Sequence, residues 1–252
     1  TYRELKKAVL SHGATSGSAI VVDVHSGEVL AMVNSPSFNP NNRGNAPAYL
    51  FRNRAITDTF EPGSTMKPLA VLSALEFGAA SLNSTVDTAP GYMRIGGSWV
   101  RDANNYTELG LTGIIQKSSN IGVSKLVLSM PHEHVLSLYG NMGLGIDTGI
   151  GLQGESSGML SHRRRWSDFE RATLSFGYGL SVTAAQLARV YATMANGGIS
   201  RPLTILKHGE TGVGEQVLDR RHAAAMLEMM EANIMPGGTA TRAQVKGYRV
   251  GG

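Results

Sequence analysis

Two β-branched runs, Ser18–Val24 and Glu28–Val33, flank the turn His25-Ser26-Gly27 and predict a β-hairpin. Residues 2–12 ahead of it predict a short helix. Residues 35–47 are crowded with Pro, Asn and Gly and predict a long loop. The break Pro62-Gly63 precedes a helix over 64–77, which Gly78 closes. Leu69, Leu72, Ala74, Leu75 and Phe77 make that helix broadly apolar, so it belongs in the interior. Pro68 falls in its first turn, where a missing N–H does no harm. Residues 84–110 predict short strands and turns, and Thr112–Lys117 and Ile121–Leu128 predict two helices with Ser118-Ser119-Asn120 at their junction. Gly-rich stretches fill 140–158. Thr183-x-x-Gln186 is a capping box opening a helix to Ala195, which Asn196-Gly197-Gly198 ends. Residues 220–232 predict a last amphipathic helix. Strands at one end and helices through the middle, with no repeat or domain-sized linker, give an α+β class with helices packed on a sheet.

At 252 residues the chain buries a substantial core, and 42% hydrophobic with 17% charged residues is an ordinary globular balance. The net charge is +4 and includes the run Arg163-Arg164-Arg165. So short a run reads as a solvated loop rather than a polymer-binding patch, and no aromatic-rich basic stripe supports nucleic-acid binding. There is no cysteine, which excludes disulfides, thiol catalysis and Cys-based metal sites. His132 and His134 follow Pro131 in a polar stretch that reads as a surface turn, not a metal site. No apolar run reaches membrane-spanning length. The chain starts without Met and stops abruptly at Gly251-Gly252, as a piece of a longer protein would.

Ser64-Thr65-Met66-Lys67 is the chain's one S-x-x-K. On a helix, positions three apart share a face, so hydroxyl and amine can meet. A helix N-terminus adds free backbone N–H groups for a developing oxyanion. A serine hydroxyl needs a base. A lysine serves only when neutral, and bringing its ordinary pKa of about 10.4 to neutrality costs about 4–5 kcal/mol, which burial or nearby positive charge can supply. The triplet is common by chance; its position after a Pro-Gly break at the head of an apolar helix is what makes it informative. At Ser118-Ser119-Asn120, the Ser118 hydroxyl could relay a proton between Lys67 and a leaving amine, and the Asn120 amide could donate to a substrate carbonyl and touch the lysine. Ser81-Leu82-Asn83 has the same S-x-N form, and a capped helix junction explains such residues equally well.

Three stretches together resemble class B penicillin-binding proteins, in particular the septal peptidoglycan D,D-transpeptidases of Gram-negative bacteria. They are Phe60-Glu61-Pro62-Gly63-Ser64-Thr65-Met66-Lys67-Pro68, Gln116 to Lys125, and Arg165-Trp166-Ser167-Asp168 through Ser175-Phe176-Gly177-Tyr178-Gly179-Leu180 to Thr193. The resemblance runs from about residue 16 to the end. It implies one transpeptidase domain over 1–252 with the penicillin-binding protein/serine β-lactamase-like fold, helices on a mainly antiparallel sheet. It implies Ser64 as acylated nucleophile, Lys67 as general base, Ser118 and Asn120 as the second motif, Glu61 beside the nucleophile and Tyr178 lining the cleft. No Lys-Thr-Gly or Lys-Ser-Gly triplet occurs, so the chain is expected to stop short of the family's third motif and of the last strands. The implied partners are D-Ala-D-Ala stem peptides, β-lactams and membrane-bound division proteins, with no nucleic acid and no cofactor. The implied location is the inner membrane with this domain in the periplasm. A serine β-lactamase, which needs a water activator for deacylation, a β-lactam sensor and a non-catalytic division scaffold are the alternatives.

Overall fold

In a computed structural model, residues 1–161, 163, 165–207 and 213–252 are described; Arg164 of the basic run lies outside them. Helix α1 (Tyr2–Ser11) leads into strands β1 (Gly17–Val22) and β2 (Val29–Ser35), antiparallel with Gly17 opposite Ser35. The connecting turn is fixed by Asp23, whose Oδ1 accepts from the N–H groups of His25 and Ser26 at 2.9 Å each. A register shift at Val21/Val22 ends β1 two residues before the predicted Val24.

After the long loop, helix α2 (Arg54–Thr57) precedes a 3-10 turn, Gly63–Met66, that runs into α3 (Lys67–Glu76). The expected helix over 64–77 is therefore corrected: Ser64 sits on the tighter turn and the α-helix begins at Lys67. Every residue of α3 from Lys67 to Leu75 is buried, as the all-round apolar sequence requires.

Short strands β3 (Thr85–Asp87), β4 (Tyr92–Ile95), β5 (Ser98–Arg101) and β6 (Glu108–Gly110) pair antiparallel as β3 with β6 and β4 with β5. Helices α4 (Leu111–Gln116) and α5 (Asn120–Leu128) follow. The stretch read as a surface turn is instead the first turn of α6 (His132–Asn141), with Pro131 at its cap; the His134 ring stacks on Phe77 at 4.2 Å. The polar sequence hid a helix whose other face, Val135, Leu136, Leu138 and Tyr139, is core. Helix α7 (Asp168–Ser175), not anticipated, opens on a reciprocated Ser167–Glu170 capping box. Helix α8 (Ala184–Ala195) carries the expected Thr183–Gln186 box. Strands β7 (Ile199–Ser200) and β8 (Glu215–Gln216) pair before α9 (Arg220–Ala232).

The described strands form four two-stranded antiparallel ribbons, and α1 and α8 lie against the β1–β2 hairpin. The main core surrounds α3 with side chains of α4 to α9, Tyr139 and Met226 among them at 0% exposure. A smaller cluster of Ile56, Ile150, Ala185 and Leu203 fills the space under the hairpin. Buried α3 is thus the rigid post that carries the S-x-x-K segment.

Candidate active site

Ser64 is exposed on the 3-10 turn. Three contacts hold that turn. The Gly63 N–H donates to the Gly177 carbonyl at 3.1 Å. Phe60 exchanges backbone hydrogen bonds with Val182, both 3.0 Å. From below, the hydroxyl of Tyr191 on α8 donates to the Thr65 carbonyl at 2.9 Å. Burial pushes the Tyr191 phenol up to about 12, so it stays a donor at any physiological pH.

One turn on, Lys67 is 3% exposed. Its Nζ donates to the Ser118 Oγ at 2.8 Å and to the Ser118 carbonyl at 2.5 Å. Ser118 can present both atoms because its backbone is left-handed, φ 53, at the junction of α4 and α5. Glycine usually fills such a position; a serine there carries strain that the surrounding contacts must hold. Desolvation lowers the Lys67 ammonium to about 8, against the opposing pull of the Asp102 carboxylate. Burial therefore achieves most of the shift that lysine needs to act as a base.

Asp102, which the sequence reading passed over, organises the other side of the junction. Its carboxylate accepts from the Ser119 hydroxyl at 2.5 Å and from the Ile121 N–H at 3.0 Å, and Ser119 in turn caps α5 through the Gly122 N–H at 2.8 Å. Only a fold that brings residue 102 back to residue 119 reveals this, and no local sequence signal marks it. Asn120 departs from expectation. Its Nδ2 donates to the Arg101 carbonyl at 2.9 Å and, among the described contacts, not to anything on Lys67. A carbonyl partner requires the amide nitrogen on that side, which leaves Oδ1 free.

Glu61 lies beside the turn that bears Ser64, and its Oε1 accepts from the Gly179 N–H at 3.1 Å. It thereby pins the segment bearing Tyr178, which is exposed, with Phe176 edge-on at 5.9 Å. Lys67 thus meets Ser118 directly, and Glu61 ties the segment just before Ser64 to the one bearing Tyr178. A separate cavity of about 630 Å³, lined by Glu231, Ile234, Met235 and residues 244–246 and 248–250, holds none of these groups. Among the described residues no cluster of His, Asp or Glu could hold a metal ion, and no helix is long and apolar enough to cross a membrane.

Residues 17–252 match the family model for the penicillin binding protein transpeptidase domain. The chain belongs to the penicillin-binding protein transpeptidase family. Within it, the chain is 52% identical over 249 residues, 99% of its length, to the peptidoglycan D,D-transpeptidase FtsI of Escherichia coli K12, of which that alignment covers 42%. It is 40% identical to a probable peptidoglycan D,D-transpeptidase, PenA, of Neisseria gonorrhoeae, with 99% of this chain and 43% of that protein covered. The chain thus spans less than half the length of these relatives. Among solved structures, the transpeptidase domain of Burkholderia pseudomallei penicillin-binding protein 3 superposes with a TM-score of 0.90 at 39% identity, covering 99% of this chain and 71% of that one. At that level of likeness the penicillin-binding transpeptidase fold is shared throughout, including the helix-rich core around the S-x-x-K turn.

Proposed function

We propose that this chain is the acyl-transfer domain of a septal peptidoglycan D,D-transpeptidase. The observation that carries the reading is the buried Lys67, its Nζ on the Ser118 hydroxyl, at the start of a helix that the turn bearing the exposed Ser64 runs into.

Neutral Lys67 takes the proton of Ser64 as Oγ attacks the carbonyl carbon of the D-Ala-D-Ala bond in a stem peptide. A short helical turn leaves its first N–H groups outside its own ladder, and with that of Gly63 held by Gly177, the N–H of Ser64 is the next available to the oxyanion. Ser118, hydrogen-bonded to Lys67, passes the proton to the departing amine as the C–N bond breaks and terminal D-Ala leaves. An amine of a neighbouring stem then attacks the ester, returning the proton to Ser64 along the same path. Asn120 offers its free Oδ1 to a substrate N–H, and Tyr178 walls the cleft. β-Lactams enter the same path and remain as esters. The parent protein is read as inner-membrane-anchored, with this domain in the periplasm among division proteins. A 52% identical relative named a peptidoglycan D,D-transpeptidase supports the reading.

The test is mass spectrometry of the full-length protein after incubation with a penicillin. A stable adduct on the peptide containing Ser64, absent from Ser64→Ala, is expected. Turnover on a D-Ala-D-Ala peptide then separates a transpeptidase from a sensor, and rapid loss of the adduct would indicate a β-lactamase. No adduct on folded protein overturns the acyl-enzyme reading and leaves the scaffold.

A further inference from the structure

The β4–β5 hairpin borders the site, where Asn120 Nδ2 donates to the Arg101 carbonyl. Its residues alternate strictly between its two faces. Met93, Ile95, Ser98 and Val100 point inward, while Tyr92, Arg94, Trp99 and Arg101 are exposed. The register sets Tyr92 opposite Arg101 and Arg94 opposite Trp99, so the four outward side chains form one patch. Both guanidinium groups lean on the same indole, Arg94 at 6.0 Å and Arg101 at 5.6 Å from its centre, and Tyr92 meets that ring edge-on at 5.6 Å.

Neither arginine has a carboxylate partner among the described residues. The acidic groups of the neighbouring segments are engaged elsewhere: Asp102 with Ser119 and Ile121, Asp87 with Lys125, and Glu108 with Thr85. Stacking on an aromatic ring restrains a guanidinium while leaving its N–H fork free, and that fork matches a carboxylate bidentately. Two restrained forks, without a carboxylate partner among the described residues, thus lie beside the Lys67–Ser118 site with the geometry a carboxylate needs.

We propose that this outward face binds carboxylates of the stem peptides along the peptidoglycan strand being processed, holding the strand against the Ser64 face. The proposal rests on the transpeptidase reading for its ligand. Charge complementarity with the stem carboxylates and continuity with the site through Asn120 favour this occupant over a lipid surface.

The experiment measures binding of a fluorescein-labelled, uncross-linked glycan strand bearing pentapeptide stems, by anisotropy, to full-length protein carrying Ser64→Ala. Acyl transfer is absent from the assay, so a failure of the acyl-enzyme reading leaves the measurement intact. Charge reversal, Arg94→Glu with Arg101→Glu, is expected to raise Kd at least tenfold. Neutralisation, Arg94→Gln with Arg101→Gln, is expected to raise it at least threefold. Arg3→Glu, on distant α1, is expected to change it less than twofold. A strand stripped of its peptides is expected to bind at least threefold more weakly. Circular dichroism checks that each variant is folded. A Kd within threefold of the parent in both hairpin variants, equal binding of the stripped strand, or binding to anionic phospholipid vesicles but not to the strand would each overturn the proposal.

Discussion

Gly177 packs against Gly63 so closely that a Cβ placed on it would stand 2.1 Å from the Gly63 carbonyl oxygen. Its φ of 87 is also one that side-chain-bearing residues rarely adopt. The turn that bears Ser64 is therefore seated on bare backbone. Gly177→Ala must push the turn away, with a stability loss of about 2–4 kcal/mol. A displacement of about 1 Å at the reacting oxygen costs roughly 100-fold in acylation rate. Thermal melting and the second-order rate with a chromogenic β-lactam check both.

Lys67 sets a pH window. With its ammonium lowered to about 8, the rate of Ser64 acylation is expected to rise through pH 7–9 with a midpoint near 8. Stability follows the same group. Lys67 folded releases its proton near 8 and unfolded near 10.5, so the unfolded chain binds more protons between those values and stability rises with pH across that window. The destabilisation is full below pH 8. Lys67→Met is expected to lower acylation at least 1,000-fold and to remove this slope, read by denaturant unfolding at pH 7.5 and 10.

Asp102 pulls the Lys67 value upward, so removing its charge has a defined sign. Asp102→Asn is expected to move the acylation midpoint to lower pH. Asp102→Ala, which abandons both the Ser119 hydroxyl and the Ile121 N–H, is expected to destabilise by about 1–3 kcal/mol as well. An unmoved midpoint in Asp102→Asn would show that its charge does not reach the lysine.

Ser118 combines a strained backbone with a hydroxyl that accepts from Lys67, and two substitutions separate them. Ser118→Gly removes the hydroxyl and relieves the left-handed strain; Ser118→Ala removes the hydroxyl and keeps the strain. Both are expected to slow acylation about 100-fold or more, because the partner of Lys67 is lost. The glycine variant is expected to be more stable than the alanine variant by about 1 kcal/mol. Equal melting temperatures would remove strain from the account of this junction.

Local chemistry was legible in the chain. The β1–β2 hairpin, the capping box of α8, the buried character of α3 and the junction at Ser118 all follow from patterns spanning a few residues, because propensity, periodicity and caps act over one or two turns. Helices α6 and α7 escaped because polar residues dominate their exposed faces, and their apolar positions acquire meaning only against α3 and α5. The start of α3 shifted from Ser64 to Lys67 because the contacts of residues 60–65 with Gly177, Val182 and Tyr191, all more than 100 positions away, tighten that turn.

The sequence by itself determined which side chains could do chemistry: one S-x-x-K at the head of an apolar helix, and an S-x-N at a helix junction. The tertiary structure decided whether they can act together. It buried Lys67, turned both Ser118 oxygens toward it, brought Asp102 to Ser119 and engaged the Asn120 nitrogen with Arg101. A lysine's basicity depends on water excluded and charges gathered from distant parts of the chain, and only the folded arrangement fixes those distances.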